Sequence, residues 1–147
     1  MIKTVHEISD LKKKLRPFAL DNQLFLIYHF GSRITNNEFN FRSDYDFAFL
    51  LNDNNVELFS SVFFKASLIS KMEQLLRISP IDLVILNEAP PILSYEIIKH
   101  GLLLYKKTDK TRTDFEEKII KNYLDFKYYS NQFNLLYLDI LKVKGVL

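Results

Sequence analysis

The sequence predicts a mixed α/β (α+β) fold: a small mixed β-sheet flanked by helices, with a further helix at the C-terminal end. Three observations carry that expectation. Four largely apolar runs have strand length, at Leu24–Tyr28, Asp44–Leu51, Ile81–Leu86 and Leu102–Tyr105. Around them, apolar residues recur every three or four positions, the period of an amphipathic helix. The stretch between the second and third runs is long enough to cross back over a sheet, as a strand–helix–strand connection requires.

The elements follow in order. Thr4-Val5-His6-Glu7 has the form of a capping box, and Ile8, Leu11, Leu15 and Phe18 continue at helical spacing. A helix over residues 5–16 results, with Lys12, Lys13, Lys14 and Arg16 outward and Pro17 ending or kinking it. Residues 23–29 form the first strand. The second runs from Asp44 to Leu51, and Asn52-Asp53-Asn54-Asn55 supplies a turn and an N-cap. In the helix that follows, Val56 to Ile78, the residues Phe59, Val62, Phe63, Ala66, Ile69, Met72 and Leu76 make one stripe, read as core. Pro80 ends it, and Ile81–Leu86 is the third strand.

Pro90-Pro91 opens a short helix through Lys99, with Leu93, Ile97 and Ile98 inward. Gly101 stands where glycine's left-handed freedom ends many helices, and Leu102–Tyr105 is a strand at the sheet edge. Thr111 or Thr113 caps a last helix from about Asp114 to Tyr128, continuing toward Lys142. Its face carries Phe115, Ile119, Tyr123, Phe126, Phe133 and Tyr137. These side chains either complete the core or form an exposed patch for a partner.

Composition narrows the function. With 147 residues, 48% of them hydrophobic, and thirteen Phe and eight Tyr, one compact domain over 1–147 is expected. Its core spans about 22–107 and its last helix about 114–142. A net charge of +2 gives no strong field toward nucleic acid, so no direct nucleic-acid contact is expected. The chain has no cysteine, which excludes disulfides and thiolate metal sites. No apolar stretch approaches the roughly 20 residues of a membrane span, so a cytoplasmic protein without a membrane partner is expected.

The chemistry concentrates at two strand ends. The first strand leads into Gly31-Ser32-Arg33, and the second begins at Ser43-Asp44-Tyr45-Asp46. Residues two apart on a strand share a face, so Asp44 and Asp46 point one way while Tyr45, Phe47 and Phe49 point into a core. Paired carboxylates resist burial unless a cation lies between them, and Mg²⁺ takes one or two carboxylates together with substrate phosphates. Gly31 lets the backbone approach an anion, and Ser32 adds a hydroxyl donor. Arg33 and Arg42 suit phosphate oxygens, and Ser43 orients the loop ahead of Asp44. Asp82 is the one charge in an apolar strand. It is either a strand-end residue facing water or a third carboxylate beside Asp44 and Asp46, and the second reading is preferred. His29 stands close enough to touch a nucleotide, but no second His or Cys lies at ligand spacing, so it is read as a supporting or structural residue.

Gly-Ser, a loop, then Ser-Asp-x-Asp and apolar residues resembles the signature of the polymerase-β-like nucleotidyltransferase superfamily. With Ile81–Pro91 and Gly101–Tyr105 added, the stretch from Leu24 to about Tyr105 looks like the minimal MNT-type members that serve as antitoxins to HEPN-domain toxins. The resemblance implies the polymerase-β-like fold and transfer of AMP from ATP to a hydroxyl, a toxin tyrosine for instance, with release of pyrophosphate. It implies two Mg²⁺ ions on Asp44, Asp46 and Asp82, phosphates on Gly31, Ser32, Arg33 and Ser43, and a hetero-oligomer with the toxin. Two rivals stay open: a non-catalytic antitoxin that occludes its toxin, and nucleotidyl transfer to a small molecule.

Overall fold

The structure is a computed structural model that describes residues 5–31, 44–55 and 61–146. Its elements are α1 (Val5–Asp21), β1 (Leu24–Phe30), β2 (Tyr45–Leu51), a 3₁₀ turn (Asp53–Asn55), α2 (Val62–Leu76), β3 (Ile81–Ile85), α3 (Pro91–His100), β4 (Leu102–Lys106) and α4 (Asp109–Val143). The four strands form one mixed sheet in the order β3-β2-β1-β4. β1 is antiparallel to both β2 and β4, while β2 and β3 are parallel, joined by α2 as the crossover. The expected fold class is therefore the observed one, with β4 at an edge.

Strand alternation gives the sheet two apolar faces. Ile27, Phe47, Phe49, Leu83 and Leu104 meet Leu11, Leu15, Phe18 and Ala19 of α1 and Leu68 and Met72 of α2. Leu26, Tyr28, Ala48, Leu50 and Leu86 meet Ile97 of α3 and Phe115 and Ile119 of α4. Each fully buried large side chain is worth about 1.5–3 kcal/mol. On the second face Tyr28 donates to Glu116 Oε1 at 2.9 Å, and Arg112 Nε donates to the same oxygen at 2.9 Å. Burial, then the Glu116 carboxylate, raise the Tyr28 hydroxyl above its ordinary pKa.

Several expectations need correction. α1 runs through Pro17 to Asp21 rather than stopping near Arg16. Burial of Phe18 and Ala19 beyond the proline offsets the lost hydrogen bond, and the Asn22 amide caps the Phe18 carbonyl at 2.8 Å. α2 begins at Val62, capped by Ser61, and ends at Leu76 with Arg77 left-handed, before Pro80 is reached. Val62 and Phe63 are exposed, and the buried stripe is Leu68 and Met72 with Phe64, Ile69, Leu75 and Leu76 against it. Residues 56–60, including Phe59, lie outside the described residues. Gly101 is not left-handed: its φ is −72°, and a Cβ there would stand 2.4 Å from the Ile97 carbonyl oxygen. Close backbone packing, not chirality, calls for glycine at that place. α4 starts at Asp109 and is capped by Thr108, whose hydroxyl accepts from the Thr111 N–H at 3.0 Å. The two threonines expected as caps lie inside its first turns. Among the described residues no helix is long and apolar enough to cross a membrane.

Candidate active site

Three strand ends converge on one end of the sheet. Because β1 is antiparallel to β2 and β3, its C-terminal end meets their N-terminal ends. Phe30 pairs with Asp46, and Asp46 pairs with Asp82 across the parallel ladder. Neighbouring strands lie about 4.8 Å apart, and directly paired residues share a face. Asp46 and Asp82 therefore stand side by side, on the face that lower down packs against α3 and α4. Asp44 immediately precedes β2 and is exposed, and Asp46 is half-buried.

The frame around these carboxylates is specific. Gly31 has φ +90°, and a Cβ built on it would lie 2.0 Å from Asp46 Oδ2 and 2.9 Å from Asp46 Cγ. The turn after β1 thus fits against the Asp46 carboxylate only as glycine. Beneath it, His29 Nδ1 lies 2.8 Å from the Asp46 carbonyl oxygen. A carbonyl only accepts, so Nδ1 carries the proton. The His29 ring is buried and stacked on Phe47, with centroids 4.7 Å apart and planes at 17°. It points away from the Asp46 face and holds the Asp46 carbonyl from beneath. The alternation that puts Ile27 in the core puts His29 there as well.

The start of β3 is fixed from α2. Glu73 Oε1 accepts from the Ile81 N–H at 3.1 Å and from Ser79 Oγ at 3.4 Å, and the Tyr45 N–H donates to the Pro80 carbonyl at 3.0 Å. Asp82, one residue on, is exposed and accepts from the Leu83 N–H at 2.9 Å. Glu73 was not a sequence candidate, since nothing in α2 marks it among the other polar residues.

Of the residues singled out in the sequence, Gly31, Asp44, Asp46 and Asp82 come together at this end. Ser32, Arg33, Arg42 and Ser43 lie outside the described residues. The assembled set is all oxygen, which suits a hard divalent cation. Among the described residues no three His, Cys, Asp or Glu side chains close on one point.

Residues 13–110 match the family described as polymerase beta, nucleotidyltransferase. None of the curated proteins compared matches the sequence. Among solved structures, a chain of a toxin–antitoxin complex with AMP-PNP is similar at 24% identity and a TM-score of 0.63, over 88% of this chain and 98% of that one. A chain from tri-AMPylated Shewanella oneidensis HEPN toxin in complex with MNT antitoxin is similar at 24% identity and a TM-score of 0.62, over 91% of this chain and 98% of that one. A third likeness is to an MntA–HepT toxin–antitoxin variant in which two aspartates, two positions apart, are exchanged for glutamate. It has 23% identity and a TM-score of 0.65, over 88% of this chain and 98% of that one. These likenesses are of fold.

Proposed function

The chain belongs to the polymerase beta nucleotidyltransferase family, and from that membership we propose that it transfers AMP from ATP to a hydroxyl of a cognate HEPN RNase toxin, as that toxin's antitoxin. The observation that carries this reading is the in-register pairing of Asp46 with Asp82 beside the Gly31 turn, at the end where Asp44 also lies. The similar solved complexes support it, one with AMP-PNP and one with an AMPylated toxin. The aspartate pair altered in a third has the spacing of Asp44 and Asp46.

In this reading Gly31 and Ser32 hold the β- and γ-phosphates through backbone and hydroxyl donors, Arg33 pairs with phosphate oxygens, and Ser43 orients the loop ahead of Asp44. Asp44, Asp46 and Asp82 would hold Mg²⁺, which when bound neutralises the triphosphate and polarises the reacting phosphoryl group. His29 keeps the Asp46 backbone in place beneath. The acceptor, a tyrosine hydroxyl for preference, attacks the α-phosphorus. The α–β bridging P–O bond breaks, pyrophosphate leaves, and Asp82 takes the hydroxyl proton. A nucleoside triphosphate substrate and an RNase target fit a reaction in the cytoplasm.

The test is the intact mass of the protein encoded beside this one, co-expressed with wild type or with the Asp44→Ala/Asp46→Ala double variant. Whole AMP increments with wild type only are expected. An unmodified partner, tightly bound by both forms, would replace transfer with occlusion.

A further inference from the structure

The open edge of the sheet lies in a basic groove. β4 is last in the strand order and, among the described residues, pairs with β1 alone. Lys106 stands opposite Leu26, and the next N–H, that of Lys107, donates to the Phe25 carbonyl at 2.8 Å. Antiparallel pairing alternates, so the N–H and C=O of Lys106 point away from β1. An edge of this kind offers its backbone groups to a further strand. One wall of the groove is α1, which brings Lys12, Arg16 and Leu20, all exposed and each four residues from the next. Arg112 of α4 stands at the other wall, and Tyr105 is half-buried in the floor. With Lys106 and Lys107 the groove holds five cations and no carboxylate among the described residues. Lys106 is paired with Asp109 and Arg112 with Glu116, whereas Lys12, Arg16 and Lys107 have no acid partner among the described residues. A guard against edge pairing needs cations on the strand itself. Here α1 adds a second row to the same groove.

We propose that this groove takes an acidic, extended segment of another polypeptide, added to β4 as a fifth strand. Two features select that occupant. The outward N–H and C=O of Lys106 match a chain that brings its own N–H and C=O at strand spacing. The unpaired cations, from α1 and from the end of β4, select carboxylates on that chain. A nucleic-acid strand would bring phosphates but no backbone donors, and Tyr105 is the one aromatic lining the groove on which a base could stack. Lys106 and Lys107 lie at the opposite end of β4 from Leu102, which pairs with His29 beside the three aspartates. The docking therefore does not depend on the proposed reaction.

The experiment is the binding of dye-labelled peptides to the full chain, read by fluorescence anisotropy. The probe is an end-blocked peptide of alternating glutamate and valine. Its comparison peptide has proline for every valine, which keeps the charge and prevents strand pairing. Wild type is expected to bind the first and not the second, more weakly as salt rises. Lys12→Glu/Arg16→Glu should weaken binding about tenfold or more. Lys13→Glu/Lys14→Glu makes the same charge change at exposed positions outside the groove, and should alter binding by no more than about twofold. A second readout is independent of any variant: hydrogen exchange of the Lys106 amide should slow when the peptide binds, as strand addition requires. Absence of binding by wild type overturns the proposal, as does equal binding of the proline peptide. Equal losses in the two double variants, unchanged exchange at Lys106, or tighter binding of a single-stranded oligonucleotide of the same charge would overturn it as well.

Discussion

The carboxylate of Asp46 occupies the space that a side chain at Gly31 would need: a Cβ there would stand 2.0 Å from Asp46 Oδ2. Two residues fifteen apart in sequence are thereby one unit, the turn after β1 and the aspartate of β2. Gly31→Ala should cost at least about 1–2 kcal/mol from its positive φ alone, and more from the clash. In an Asp46→Ala background that cost should fall by about 1 kcal/mol or more, a coupling read from denaturant unfolding of the double-mutant cycle. Additive costs would mean that the two positions are independent.

His29 should matter to the site without touching substrate. His29→Phe keeps a ring on Phe47 but removes the Nδ1–H that the Asp46 carbonyl accepts. The expected loss is about 1–3 kcal/mol of stability, with AMP transfer slowed because the Asp46 backbone is no longer held. Unchanged unfolding and transfer rates would show that the bond does nothing.

Asn87 ties the far end of β2 to the loop after β3. Its Oδ1 accepts from the Leu51 N–H at 2.9 Å, and its Nδ2 donates to the Leu51 carbonyl at 2.8 Å and to Asp53 Oδ1 at 3.0 Å. Asn87→Asp exchanges that donor for a carboxylate facing Asp53, and should lower stability by about 1–3 kcal/mol at neutral pH. Denaturant unfolding identical to wild type would contradict this.

Tyr28 gives stability a dependence on alkaline pH. Its folded pKa is raised above the ordinary 10.0 by burial and by the Glu116 carboxylate. Above pH 10 the unfolded chain loses this proton before the folded one does, so the contribution is complete below about pH 10 and is lost as pH rises. The stability difference between wild type and Tyr28→Phe should therefore shrink from pH 9 to pH 11 in denaturant titrations. A difference constant over that range would refute the assignment.

Much of this was readable in the chain. The apolar runs located all four strands, since β-branched and aromatic residues bounded by turn residues have few other uses. The Gly31, Asp44 and Asp46 pattern pointed to the candidate site because each residue stands at a strand end. Other features escaped for physical reasons. Pro17 looked like a stop, but burial of Phe18 and Ala19 outweighs one lost hydrogen bond. Val62 and Phe63 looked like core, but both stand exposed in the first turn of α2. Helical period shows which residues share a face, not where a face ceases to be covered.

The sequence by itself determined the elements, the fold class and the residues that carry charge at strand ends, because backbone preference and hydrophobic period are local properties. Only the tertiary structure decided that Asp82 stands in register beside Asp46, that Asp46 fills the space at Gly31, and that the aromatic stripe of α4 leaves the core after Tyr123. Each of these is a distance between segments far apart in the chain. Such distances are set by strand pairing and by the limited area of one small sheet, which no local pattern encodes.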